Sequence, residues 1–104
     1  MELGDIGTAF KYETDHMRVW DLVLKPGESS TWHQHNDHYV FIVTRSGTLL
    51  TEYEDGSTSH NEFILGDVVT GHKGAIHRVT NTGDVLYSNA IIEILPQNAR
   101  QGYK

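Results

Sequence analysis

The sequence predicts an all-β domain, folded as a sandwich or a small closed barrel. Three observations carry this. Val, Ile and Thr together supply 25 of the 104 residues while Ala is scarce, and β-branched side chains suit a pleated surface. Ten glycines punctuate the chain and separate short apolar runs. No stretch of about 12 residues shows the apolar repeat of about 3.6 residues that marks an amphipathic helix.

Met17–Leu24 is the first expected strand, with Trp20, Leu22 and Leu24 at alternate positions, and Lys25-Pro26-Gly27 turns the chain after it. His38–Thr44 is almost wholly apolar or β-branched, the pattern of a strand covered on both faces. Ser46-Gly47 breaks it, and Thr48–Glu54 resumes. Asp55-Gly56 joins that run to Ser57–Leu65 and is the strongest hairpin cue in the chain. Gly66-Asp67 precedes the short run Val68–Thr70, and turns at Gly71 and Gly74 precede Ile76–Asn81. Thr82-Gly83-Asp84 leads into Val85–Leu95, where Ile91, Ile92 and Ile94 favour strand over helix. Pro96 ends it, leaving a loose polar tail over 97–104. The expectation is one domain over residues 1–104 with its ordered core at about 17–95.

Composition narrows the function. There is no cysteine, which removes disulfides, thiolate metal sites and cysteine nucleophiles. Fourteen acidic residues against eight basic ones leave a net charge of −6. That balance argues against nucleic-acid and anionic-membrane partners, which need a basic patch. No apolar run approaches the roughly 18 residues of a membrane span, and Met1–Thr8 does not read as a signal peptide, so a cytoplasmic protein is expected.

Seven histidines are the informative feature, three of them crowded into His33, His35 and His38. Residues two apart on a strand point to the same face, so His33 and His35 can serve one metal ion. His77 lies far along the chain but can stand opposite if the sheet curls. Three imidazoles with open positions make a catalytic type of metal site rather than a closed structural one. The plain alternative is an exposed polar pair at the start of a strand.

The surrounding residues shift the weight toward the metal site, with a metal-free pocket as the alternative. Gly27, five residues, His33, one residue and His35 resemble the first motif of the cupin superfamily. Gly66, five residues, His72, one residue, Gly74, two residues, His77, three residues and Asn81 resemble the second. The resemblance covers about residues 17–95. It implies a cupin-type double-stranded β-helix, or jelly roll, with His33, His35 and His77 as ligands of a divalent ion, Fe, Zn, Mn or Ni. Two departures stand out. The glutamate that normally follows the second histidine is missing, its two permitted positions being Tyr39 and Val40, and His72 replaces the usual proline.

Without that glutamate, three neutral imidazoles leave the full dipositive charge facing the substrate, which favours an anionic or enolate-like molecule. His38 shares the strand parity of Val40, so it is a candidate fourth ligand or a general base. Tyr39 and Tyr53 are candidate catalytic residues whose hydroxyls fix a substrate. Asn81 is expected to satisfy backbone groups in a turn, His16 and His60 to lie on the surface, and His72 to be exposed or at a pocket mouth. The leading expectation is a metal-dependent enzyme acting on a small polar or anionic molecule, by dioxygenase or by isomerase or lyase chemistry. The alternative is a non-catalytic module that binds a small ligand, and a purely structural barrel ranks last. Cupins commonly pair through their strands, so a homodimer is expected.

Overall fold

The computed structural model describes residues 1–97. Nine strands form two antiparallel sheets, and no helix occurs among the described residues. They are β1 (Ala9–Glu13), β2 (Met17–Leu24), β3 (His33–Gln34), β4 (Tyr39–Arg45) and β5 (Gly47–Tyr53), followed by β6 (Thr58–Phe63), β7 (Val68–Gly71), β8 (Ile76–Asn81) and β9 (Tyr87–Ile94). One sheet has the order β1-β2-β9-β4-β7 and the other β3-β8-β5-β6. Strands far apart in sequence are thus spatial neighbours, as β2 and β9 are.

The expected strands all form: Met17–Leu24 and Ile76–Asn81 keep their bounds, and the ends of the others move by one or two residues. Asp55-Gly56 does sit in a hairpin. Tyr53 N–H donates to Ser57 O at 2.9 Å and Gly56 N–H to Tyr53 O at 3.0 Å, so the connection is three residues long. The Asp55 carboxylate accepts from Ser57 N–H at 2.8 Å and from its hydroxyl at 2.6 Å. Two elements lie outside the expected ranges, the two-residue β3 and β1, and β1 is the larger. Its residues are all exposed and it pairs only with β2, so it carries no buried alternation for a sequence pattern to register. Of the expected tail over 97–104, Gln97 donates to Asp15 O at 2.9 Å, and residues 98–104 lie outside those described.

The two sheets face each other across the core. Leu22 and Leu24 of β2, Val43 of β4, Leu49 of β5 and Tyr87 and Ile91 of β9 are buried there, with Trp20, Phe41, Phe63 and Val79 packed around them. Parity follows: even positions of β2 and odd positions of β4, β5, β8 and β9 point inward. Asn81 closes one end. Its amide donates to Leu24 O at 2.9 Å and Val85 O at 2.8 Å, and its oxygen accepts from Gly83 N–H at 2.9 Å. It is completely buried with every group satisfied, the turn role expected of it. Among the described residues no helix is long and apolar enough to cross a membrane.

Candidate metal centre

Register brings the three histidines together. His33 of β3 stands directly opposite His77 of β8, and His77 stands opposite Tyr53 of β5. His35, two residues beyond His33, is held by two backbone bonds: its N–H donates to Ala75 O at 3.1 Å and its carbonyl accepts from Gly74 N–H at 2.7 Å. Gly74 adopts φ +104°, a conformation that side chains other than glycine's rarely take, which lets the loop reach back to His35. All three imidazoles are buried, with 2 %, 2 % and 8 % of their surface exposed.

The three rings form a nearly equilateral triangle. Centroid separations are 4.9, 4.7 and 5.0 Å, and each pair is close to perpendicular. His33 Nδ1–H donates to Thr31 O at 2.8 Å, which fixes the tautomer and leaves Nε2 with its lone pair free. The Nε2 atoms of His35 and His77 lie 3.1 Å apart. Two nitrogens sharing an ion at ~2.1 Å, with an angle between octahedral and tetrahedral, lie about 3.0–3.4 Å apart. One potential ligand atom from each histidine falls within a group 4.8 Å across.

Electrostatics agrees. Burial lowers His33, against a smaller opposing contribution from its bond to Thr31 O. Burial, helped by the neighbouring imidazoles, lowers His35 to about 3, and burial followed by His33 lowers His77 to about 4. All three are therefore neutral at pH 7, the state a metal needs. Among the described residues the buried Nδ1 atoms of His35 and His77 have no partner, so the Nε2 atoms, which face each other, are the ones placed to ligate an ion. The residues fit a bound divalent ion.

A cavity of about 410 Å³ opens beside the triad, lined from both sheets. Tyr39 and Tyr53 both line it. Tyr39 stacks on His35 with centroids 3.7 Å apart and planes at 15°, and burial, with Tyr53 adding to it, raises its phenol to about 12. Tyr53 lies 5.7 Å from the His77 ring. Of the two positions open to the missing glutamate, Tyr39 is the one that faces the histidines.

His38 does not join the site. It is exposed, its Nδ1 accepts from Lys73 N–H at 3.3 Å, and its ring meets His72 at 5.7 Å. It belongs neither to the histidine group nor to the cavity lining, which corrects its assignment as fourth ligand or base. The physical reason is parity: His38 and Val40 share a face, but the inward face of β4 carries Tyr39, Phe41 and Val43. Glu93 does not replace the lost carboxylate either. It is buried, with Oε1 accepting from Trp20 Nε1–H at 2.8 Å and from Arg18 at 3.5 Å, away from the cavity.

His72 is exposed and reaches the cavity mouth beside Lys73. His16 and His60 are exposed, with His60 paired to Thr82 at 2.7 Å. Sequence reasoning missed Thr51, Ser59, Asn61, Gly71, Lys73 and Asn89, which all line the cavity. A usable signal existed for two of them, because the Asp55-Gly56 hairpin sets Thr51 opposite Ser59.

A family profile described as Cupin domain matches residues 20–88. A cupin domain protein of Bordetella pertussis Tohama I is similar over 92% of this chain and 98% of its own, at 27% identity and a TM-score of 0.79. An RmlC-like cupin family protein of Methanocaldococcus jannaschii with a double-stranded β-helix fold shares the fold at 16% identity. There the TM-score is 0.66, over 88% of this chain and 93% of the other. No curated protein matches.

Proposed function

The chain belongs to the cupin family, and on that footing we propose that it is a metal-dependent enzyme acting on a small anionic molecule. The observation that carries this is a buried triad of neutral imidazoles opening on a cavity with no Asp or Glu in its lining. The protein as a whole is acidic, at −6, yet the groups at the cavity mouth are Lys73 and His72. An anion is attracted there and repelled elsewhere.

In this reading His33, His35 and His77 hold Fe, Zn, Mn or Ni. A bound ion supplies Lewis acidity for isomerase or lyase chemistry, or dioxygen chemistry if it is iron. Tyr39 keeps its proton at neutral pH because its phenol is raised to about 12, so it gives a hydrogen bond to a substrate oxygen rather than taking a proton. Tyr53 orients the substrate from the His77 side. The Tyr39 ring also shields one face of His35 from water.

A second reading is a cytoplasmic binding module without turnover. It is favoured by the position of His38 outside the cavity, which leaves His72 at the mouth as the imidazole beyond the triad. For assembly we propose a homodimer, supported by the apolar outer face of the five-stranded sheet, where Val23, Ile42, Val68 and Ile94 are exposed.

The test is elemental mass spectrometry on untagged protein prepared without chelator, beside His33→Ala/His77→Ala. About one equivalent of one of the four metals, lost in the variant, is expected. No metal, with no uptake of added Zn or Fe, refutes the metal-dependent enzyme and leaves the binding module. Sedimentation at micromolar concentration tests the dimer.

A further inference from the structure

One wall of the cavity carries polar groups that the fold itself does not use. On the inner face of the four-stranded sheet, side chains fall into rows across the strands. His33, His77 and Tyr53 make one row, Val79, Thr51 and Ser59 the next, and Asn81, Leu49 and Asn61 the third. Thr51, Ser59 and Asn61 line the cavity, and among the described residues their side chains have no hydrogen-bond partner in the protein. The contrast with the outer face is plain. There Ser29 and Thr80 pair at 2.6 Å and His60 pairs with Thr82 at 2.7 Å.

The opposite sheet supplies an independent observation. Asn89 of β9 sits between Leu22 and Val43, is 3 % exposed and lines the same cavity. Its amide donates to Tyr87 Oη at 2.8 Å, but its Oδ1 is buried and has no partner among the described residues. An orphaned acceptor in apolar surroundings is costly. It is accounted for if a donor enters from the cavity.

We infer that Thr51, Ser59, Asn61 and Asn89 form a second subsite that hydrogen-bonds the hydroxylated body of a small carboxylic acid whose carboxylate lies at the histidine end. The carboxylate end rests on the proposed function; the hydroxyl-binding wall rests on the unpaired groups alone. Adjacent inward rows lie about 6.8 Å apart along the strands, the reach of a chain of about four to six carbon atoms. A donor on that chain meets Asn89 Oδ1, while Thr51 and Ser59 both give and accept. An unhydroxylated acid leaves the buried Asn89 Oδ1 without a donor and displaces water from Thr51, Ser59 and Asn61 without replacing its hydrogen bonds, and that asymmetry sets specificity.

The experiment is calorimetric titration of zinc-treated protein, its zinc content measured first, with two pairs of probes. Threonate is compared with butyrate and gluconate with hexanoate, each pair equal in carbon number and charge. At least one hydroxylated acid is expected to bind tenfold or more tightly than its partner. Thr51→Val/Ser59→Ala, which changes side chains facing the cavity, is expected to cut that ratio at least fivefold, by weakening the hydroxylated acid, tightening the unhydroxylated one, or both. Asn89→Leu is expected to cut it too, and the double variant decides alone if Asn89→Leu does not fold. Equal affinities within both pairs, or a ratio unchanged in Thr51→Val/Ser59→Ala, overturn the subsite. The ratio can be read with or without zinc in the protein. A chain that binds no zinc therefore refutes the metal reading separately, while the ratio still decides this one.

Discussion

Gly71→Ala is expected to dislodge Tyr39 and loosen the triad, although alanine and glycine differ by one methyl group. Tyr39 and Gly71 face each other across β4 and β7. A Cβ on Gly71 would lie 2.5 Å from both Cε1 and Oη of Tyr39 and closer still to Cζ. Ordinary contact is about 3.5–4.0 Å, so roughly 1 Å or more must be found. The backbone at Gly71 is not in the left-handed region, so the conflict is with the ring alone. The ring cannot retreat toward His35, where it is already stacked at 3.7 Å. It must swing out, or the four-residue edge strand β7 must move away. Overpacking of this kind costs about 1–3 kcal/mol. Urea denaturation of Gly71→Ala, Tyr39→Ala and the double variant measures it. The alanine at 71 should cost about 1–3 kcal/mol with Tyr39 present and about zero once the ring is gone. Zinc affinity should fall in Gly71→Ala, because His35 loses the ring that orients it. Equal costs in both backgrounds would refute the argument that Tyr39 occupies the space of the missing Cβ.

Three further outcomes are expected. His38→Ala should leave metal stoichiometry unchanged by elemental analysis, because the side chain lies outside both triad and cavity; loss of the metal would restore it as a ligand. Asn81→Ala should lower stability by about 2–4 kcal/mol in chemical denaturation, since two carbonyls and one N–H lose their partner inside the fold, while metal binding persists in the folded fraction. Metal-free protein should lose stability as pH falls through the unfolded histidine value of about 6.5 toward the folded values, because the unfolded chain takes up protons that the folded one refuses. With His35 at about 3 and His77 at about 4, each should contribute a loss of about 2 kcal/mol by pH 5. A flat melting temperature between pH 7 and pH 5 would contradict that burial.

The all-β class, the order of the major strands and the three histidines were legible in the chain because each rests on local information. Alternation and turn chemistry mark strands within a few residues of their ends. The spacing of His33 and His35 puts both on one face whatever the partner strand is. The glycines that bracket the two motifs recur at the turns that frame the triad. Asn81 was legible in part for the same reason, since Gly83 and Val85 lie in the turn beside it, whereas Leu24 reaches it from β2.

What tertiary structure alone decided is which face of each strand looks inward and what stands across the gap. Counting back from Gly47 leaves Tyr39 and Val40 both open, and only the pairing of β4 with β9 and β7 settles it for Tyr39 and turns His38 outward. β1 has no buried side chain to announce it. Gly71 reads as a turn residue, yet it ends a strand where the Tyr39 ring needs its bare Cα. Asn89 is a lone amide in an isoleucine-rich strand until the second sheet closes over it and leaves one oxygen without a partner. A one-residue change of register reverses every side chain, and register is set by pairing between distant segments. The candidate metal ligands could therefore be read from the chain, whereas the shape and polarity of the cavity they open on came from the packing of two sheets.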